Sequence, residues 1–518
     1  MRGLFVARSG MVRRRSGPQG AWRSMALAGL AGVLHTASFS PTEWWWLQIA
    51  ALALLVVALN RATPWRAFGL GMMFGFAWLA SGLWWLYISM HRYGGLHPAI
   101  AASAVALLAA GLSVYLGAAM AAYARWRRGW AGSDAWLFAA CWLLAELARG
   151  GWLTGFPWLA SGHAHTAGPL AALAPWIGVY GIGALSAVLA AALALWATDL
   201  PSARLPAAAW ALALAGLVAA AQALPRDFTR PTGMLSVSLI QPNVSQDLKF
   251  EPARIAGNFE RLARAMESAR GALVVTPESV VPIPLSALEP GQWQRLQRAV
   301  AQPGRAALVG IFVGDESSGY VNSMVGLTAT SDGREPSGYR YGKRHLLPFG
   351  EFIPPGFQWF VRLMNIPLDD QARGSHGQPM TLGAQRLRPL ICYEDLFGEE
   401  MAASAVGPGA ATIFVNASNL AWFGTWMIQD QHLQFSRMRA MEFQRPFVRA
   451  TNTGATTVID HQGIVTHRLP PDVAATLDAS VQGRLGDTPY ARWLAAAGLW
   501  PLWALGLAVL GLAAAWRR

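Results

Sequence analysis

The stretch Leu390-Ile391-Cys392-Tyr393-Glu394-Asp395 decides how this chain is read, because an apolar, strand-like run breaks there into a thiol and two carboxylates. Only two cysteines occur in the chain, and the other, Cys141, lies in an apolar stretch of membrane-spanning character. Cys392 therefore has no disulfide partner in prospect. A lone thiol at the end of a buried strand, in an oxidising compartment, is a liability unless its chemistry is used.

Outward from that run the composition is uneven. The 518 residues are 54% hydrophobic and only 13% charged, with a mean hydropathy of +0.30, too apolar for an ordinary soluble protein. Residues 24–224 and 493–516 are almost continuously apolar, whereas 225–488 has soluble α/β character. A helix needs about 20 apolar residues to cross a bilayer. Spans are expected at 25–40, 44–60, 67–89, 97–123, 133–149, 169–197 and 206–224, with an eighth at 491–515. The expected organisation is a basic cytoplasmic tail (1–24), a seven-span membrane domain (25–224), a soluble α/β domain (225–488), and an eighth transmembrane helix with a cytoplasmic end (489–518).

Charge sets the orientation. With the N-terminus inside, fourteen arginines fall in inside segments, and only Arg92 and Arg149 fall in the short outside loops. The positive-inside rule then puts both termini in the cytoplasm and 225–488 across the membrane, the periplasm of a bacterium with two membranes. This topology signal, rather than a nucleic-acid surface, accounts for the net charge of +13. The basic N-terminus fits an uncleaved first span better than a signal peptide, because eight crossings then keep parity. A transporter would carry ionisable groups deep in its spans. Here only His35 and Glu146 qualify, the latter near Arg149, and His163 and His165 are expected in an outside loop.

The central segment alternates strand-like and helix-like runs. Strands are expected at Leu235–Ile240, Ala272–Val275, Ala307–Val313, Val321–Thr328, Pro389–Cys392, Ala411–Val415, Phe447–Thr451 and Ala455–Ile459. Amphipathic helices are expected at Pro252–Ala269, Gly291–Ala301 and Met427–Phe443. With no glycine-rich phosphate loop and no pair of Cys-x-x-Cys clusters, no cofactor and no metal is expected.

Three ionisable groups stand at strand ends: Glu278 after Leu273–Pro277, Lys343 in the run Tyr341–Glu351, and Cys392. A thiol of pKa about 8.5 needs a base to become a nucleophile, and an oxyanion needs a positive group or N–H donors. Glu278 suits the base, and Lys343 with the Tyr393 N–H suits the oxyanion. Singly, each also has an ordinary reading as a solvated, surface or core residue. Lysine at 343 stands out, since of 41 lysines and arginines only Lys249 and Lys343 are lysines, as if a compact ammonium were needed there.

The order Glu, Lys, Cys resembles the nitrilase (carbon–nitrogen hydrolase) superfamily, whose triad sits on an αββα sandwich. With the flanking spans, the whole chain resembles the apolipoprotein N-acyltransferase family. The resemblance is carried by Phe39-Ser40-Pro41, Tyr93-Gly94-Gly95, Gly155–Leu159, Gln241-Pro242-Asn243, Thr276-Pro277-Glu278, Lys343–Pro354, Cys392-Tyr393-Glu394, Asn419–Gly424 and Arg437–Gly454. It implies a fold of an eight-span helical bundle plus a nitrilase-like α/β sandwich. It also implies acyl transfer from a phospholipid, phosphatidylethanolamine, to a diacylated apolipoprotein through a Cys392 thioester, by a monomer in the bacterial inner membrane. Glu351 would orient Lys343, and Tyr393 and Glu394 would shape the pocket. Phe250, Phe349, Trp422 and Phe423 would line a lipid entrance, or else simply pack in a core. The chain departs from the family pattern at Phe250, where Trp is frequent, and at Leu420, where Asp is frequent. Two other readings fit the residues: a membrane-tethered amidase using water, and a non-catalytic lipid-binding or transport protein.

Overall fold

The computed structural model describes residues 18–198, 216, 219–328, 338–354, 356–359, 370–375 and 377–516. Its first half is helical: α1 (Pro18–Thr36), α2 (Trp45–Ala58), α3 (Pro64–Gly82), α4 (Pro98–Trp126), α5 (Ala131–Gly151) and α6 (Ala174–Thr198). These sequences are rich in Ala, Leu and Gly, so backbone groups pair within each helix while small residues permit close approach. At Gly71, a Cβ would lie 2.6 Å from the Leu116 carbonyl oxygen, across the α3–α4 contact. By length and composition, α4 and the run Pro169–Ala197 could each cross a bilayer. The run 67–89, expected as one span, instead bends by 62° where α3 gives way to Leu86–Tyr93. The expected span at 206–224 lies largely outside the described residues.

Two stacked sheets make the second half. The first holds β1 (Arg230–Gln241), β2 (Leu273–Val275), β3 (Val281–Pro284), β4 (Ala306–Asp315), β5 (Gly319–Thr328) and β6 (Arg340–Gly342). The second holds β7 (Met380–Leu382), β8 (Gln385–Ile391), β9 (Ile413–Ser418), β10 (Phe447–Thr451), β11 (Thr457–Ile459) and β12 (Val465–Arg468). A last strand, β13 (Ala475–Leu485), returns to pair antiparallel with β1. The orders are β13-β1-β2-β4-β5-β6, with β3 beside β4, and β12-β11-β10-β9-β8-β7. Both centres are parallel: β1, β2 and β4 in one, β8, β9 and β10 in the other.

Val237, Leu239, Val275 and Leu308 of the first sheet meet Leu387, Ile391, Val415 and Val448 of the second in one buried layer. Helices α7 (Pro252–Ser268) and α8 (Pro290–Arg298) cover the outer face of the first sheet. Helix α9 (Ile428–Phe443) covers the second. The arrangement is the expected αββα sandwich.

Helix α9 differs from the amphipathic expectation, because it is buried on nearly every side although its sequence is IQDQHLQFSRMRAMEF. One side packs on the second sheet through Leu433, Ala440 and Phe443, and the other joins the helical half through Ile428, Phe435 and Met438. Its polar groups cross the boundary. Gln431 accepts from the indole N–H groups of Trp85 (3.2 Å) and Trp158 (2.8 Å) and donates to the Gly82 carbonyl (3.2 Å). Arg437 pairs with Glu43 at 2.7 Å, and Glu442 accepts from the Val179 N–H at 2.6 Å.

The expected last span, 491–515, is likewise a bent pair, α10 (Pro489–Ala497) and α11 (Trp500–Ala515), meeting at 83°. Gly498, with φ of 56°, ends α10, and Pro501 opens α11. Tyr490, Ala491 and Leu494 bury α10 against Phe414 and Phe443 of the sandwich.

Candidate active site

The sandwich brings the three strand-end groups together from different strands. Glu278 follows β2, where Thr276 Oγ1 accepts the Gly310 N–H (3.0 Å) from β4. Lys343 follows β6, its N–H donating to the Asn322 carbonyl at 2.8 Å. Cys392 follows β8, whose register with β9 fixes where the strand stops. Strand β8 ends at Ile391, one residue earlier than expected, and Cys392 opens a short 3-10 turn.

Lys343 is the hub. Its Nζ donates to Glu278 Oε1 at 3.0 Å and to Glu351 Oε1 at 2.6 Å, and all three side chains are buried. Glu278 Oε1 also accepts from Asn322 Nδ2 (2.8 Å), and its Oε2 accepts from the Asn419 N–H (3.1 Å). Burial alone would raise the Glu278 carboxyl, but the Lys343 ammonium, then Lys249 and the Asn322 amide, outweigh it and hold it low. Glu351 accepts the Leu347 N–H at 2.8 Å. Burial, reinforced by Glu278, pushes its carboxyl up despite Lys343. Burial would lower Lys343, yet the two carboxylates hold it charged, well above the ordinary lysine range. The Cys392 thiol is pushed up by burial first and by the Glu278 charge second, so at rest it is protonated beside an ionised carboxylate. Such a pairing suits proton transfer during attack rather than a standing thiolate.

Cys392 has φ of 56°, a left-handed conformation that costs a non-glycine residue about 1–3 kcal/mol. Its carbonyl is pinned by Asn416 Nδ2 (2.8 Å) and His432 Nε2 (3.2 Å). The same His432 nitrogen meets Asp395 Oδ1 at 3.0 Å, while His432 Nδ1 accepts from Arg449 Nη2 at 2.9 Å. Nε2 therefore carries the proton of a neutral ring, as burial, which lowers His432, also requires. Asp395 Oδ2 accepts from Arg449 Nη1 (3.0 Å) and from Ser436. Burial would raise Asp395, but His432 and Arg449 outweigh it and hold it low. Sequence reasoning missed this network, which holds the Cys392 turn against α9.

The expected supporting residues fall into distinct places. Glu394 is a strut: Oε1 accepts from the N–H groups of Arg344 (2.7 Å) and His345 (3.2 Å), and Oε2 from Tyr341 Oη (2.8 Å) and the Ile391 N–H (2.7 Å). It thus ties the residue before the thiol to the residue after the lysine. The Tyr393 hydroxyl donates to the Leu346 carbonyl at 2.7 Å, and its ring centroid lies 5.8 Å from Lys343 Nζ. Phe349, half-buried, meets Phe357 edge-on at 5.3 Å. Trp422 and Phe423 pack edge-on against Tyr93 and Trp85 of the helical half, at 5.5 and 5.0 Å. Phe250 is 47% exposed, its ring centroid 5.7 Å from Lys249 Nζ. Leu420 is buried in the apolar core that the two halves share, where an aspartate would be placed among apolar side chains.

Two expectations in the helical half change. His163 and His165 are not in an open loop. Both are fully buried in the turn Ser161–Ala167, His165 against Gln48 Oε1 at 2.8 Å. Arg149 is buried in the last turn of α5, donating to the carbonyls of Phe156 (2.8 Å) and Trp158 (2.7 Å).

Comparison with known proteins covers both halves. Residues 31–193 match the model of the apolipoprotein N-acyltransferase N-terminal domain, and residues 236–490 match carbon–nitrogen hydrolase. The apolipoprotein N-acyltransferase of Verminephrobacter eiseniae is 48% identical, over 94% of this chain and 95% of that protein. The chain belongs to the apolipoprotein N-acyltransferase family. A further member of that family, from Ralstonia nicotianae, is 44% identical over 95% of this chain and 93% of its own. A crystal structure of a CN-hydrolase superfamily protein from Xanthomonas campestris aligns over 52% of this chain and 96% of its own, at 17% identity and a TM-score of 0.37. Membership of an N-acyltransferase family makes the chain an enzyme of the carbon–nitrogen hydrolase superfamily with a membrane-associated helical half.

Proposed function

We propose that this protein moves an acyl chain from a phospholipid, phosphatidylethanolamine, to the N-terminal α-amine of diacylglyceryl-cysteine on apolipoproteins. It acts as a monomer in the bacterial inner membrane, with both termini cytoplasmic and the sandwich in the periplasm. The observation that carries the reading is the Glu278–Lys343–Glu351 ion cluster beside a left-handed Cys392. The turn of that cysteine shares one apolar core with the membrane helices, Tyr393, Leu396 and Phe397 packing in the cluster that holds Phe74 and Trp78.

In the first step Glu278 takes the thiol proton as Cys392 Sγ attacks the ester carbonyl. The resulting oxyanion falls to Lys343 and to the Tyr393 N–H, which lies in the first turn of a helical segment, where N–H groups point away from the helix's own carbonyls. Collapse breaks the ester C–O bond, and Glu278 returns the proton to the departing alkoxide, leaving a thioester and a lysophospholipid. In the second step the neutral amine attacks the thioester. Glu278 accepts its proton and passes it to the leaving thiolate, so amide and free thiol result. Glu351 keeps Lys343 aimed while Glu278 cycles. A shared core at the membrane face favours this route over hydrolysis, because a thioester survives only where water is scarce.

Intact mass of the purified protein in detergent, incubated with phosphatidylethanolamine beside Cys392→Ala, tests the reading. A hydroxylamine-labile acyl adduct is expected on the wild type alone, discharged by a diacylated lipopeptide. Discharge by water alone would convert the reading to an amidase-like hydrolase. Bound lipid without any adduct would refute acyl transfer.

A further inference from the structure

Lys249 lies in none of the contacts the mechanism uses, yet it is the second of the chain's two lysines. Both converge on Glu278. Lys249 is buried, and its Nζ donates to the Glu278 carbonyl at 3.3 Å and to Ser279 Oγ at 2.8 Å. The turn it grips is strained and tightly seated. Ser279 has φ of 44°, and a Cβ on Gly310 would meet the Pro277 carbonyl oxygen at 2.1 Å. Beside it lies a cavity of about 20 Å³ lined by Lys249, Glu278, Asn258 and Asn452. That is room for about one water beside the ammonium.

We propose that Lys249 is a positioning residue for Glu278, clamping the turn that presents this carboxylate and supplying the site's second fixed positive charge. The inference rests on the acyl-transfer reading only for the role of Glu278 as base. The charged and titratable groups that face Glu278 are Lys343, Lys249, Glu351 and Cys392. With the thiol neutral, two carboxylates and two ammoniums balance. Remove Lys249 and two buried carboxylates share one lysine, so one of them takes up a proton at a higher pH. Burial brings Lys249 down to about 8 against the pull of Glu278, so it still carries its charge at neutral pH. The Phe250 ring then acts as the outer cover of that ammonium.

The test is the pH dependence of Cys392 alkylation by iodoacetamide on the full-length protein in detergent. It requires no lipid and is mapped by mass away from the buried Cys141. Lys249→Met is expected to react roughly tenfold more slowly near neutral pH, with its acid limb moved up by about one pH unit. Lys249→Arg keeps the charge, so its limb stays in place while its rate falls. A Lys249→Met profile superimposable on the wild type would overturn the proposal. If Lys249→Met does not fold, Lys249→Arg decides: an unmoved limb with a reduced rate supports the proposal, and a shifted limb or a wild-type rate overturns it. Failure of wild-type acylation by phosphatidylethanolamine, read separately, would overturn the acyl-transfer reading and leave this result standing.

Discussion

Replacing Glu394 with Gln is the sharpest perturbation of the site that leaves its volume unchanged. Four donors converge on the two carboxylate oxygens, so an amide must turn its NH₂ toward one pair. Facing Arg344 and His345 it would meet two backbone N–H groups, neither of which accepts. Facing Tyr341 and Ile391 it meets one hydroxyl that rotates to accept and one N–H that does not. The second orientation wins and orphans the Ile391 N–H, at a cost of ~1–3 kcal/mol. The bonds to Arg344 and His345 lose their charge assistance, adding roughly 1–2 kcal/mol. Relief comes by moving Ile391, which is bonded to Cys392, away from a strut that also sets Lys343. At about 1.4 kcal/mol per factor of ten, the acylation rate should fall about 30-fold or more. Rapid-quench intact mass after mixing with phosphatidylethanolamine measures it, with Tyr341→Phe as the milder control that orphans nothing. A Glu394→Gln enzyme within twofold of the wild type would show that the strut does not set the distance between thiol and lysine.

Asp395→Asn should destabilise the protein at neutral pH by roughly 3–5 kcal/mol, because Arg449 loses its buried partner. The Asp395 carboxyl is held low in the folded state, so its stabilisation is present above the unfolded value near 3.9 and vanishes as pH falls through the folded one. Thermal inactivation followed from neutral pH to about pH 3 should show the gap between variant and wild type closing; a gap of constant size would contradict the assignment. Gln431→Leu should lower the inactivation temperature through the loss of three cross-boundary hydrogen bonds, roughly 1 kcal/mol each. Cys392 alkylation at permissive temperature should remain, and its disappearance would mean that Gln431 shapes the site itself.

Glu278 and Cys392 were legible in the sequence because each closes a short apolar run of strand character, whereas Lys343, after Arg340-Tyr341-Gly342, stood out by the scarcity of lysine and by the resemblance. The same alternation of short runs and helices pointed to an α/β sandwich, and its αββα layering came from the resemblance to the nitrilase superfamily. Strand β13 was not legible: Asp478, Gln482 and Gly483 dilute its alternation, and only its pairing with β1 makes it a strand. The break at Gly498 was written in Gly498-Leu499-Trp500-Pro501, a helix stop followed by a helix start, but high hydropathy on both sides hid it. The His432–Asp395–Arg449 network gives no local signal, since polar residues on a helix normally mean a wet face and here both faces are covered. Lys249 did leave a signal, the scarcity of lysine, which was read at Lys343 and overlooked at its only companion.

The burial of α9 on both sides has a consequence for anyone who would engineer this enzyme. A helix that belongs equally to two halves leaves no seam at which to cut, so residues 225–488 expressed alone would present a sticky, half-built wall to solvent. A chimera between relatives would fail unless Gln431, Arg437 and Glu442 travelled with Trp85, Trp158, Glu43 and the Val179 backbone they engage. The hydrolase half is therefore not cargo on an anchor, and the two halves of this catalyst are portable only together.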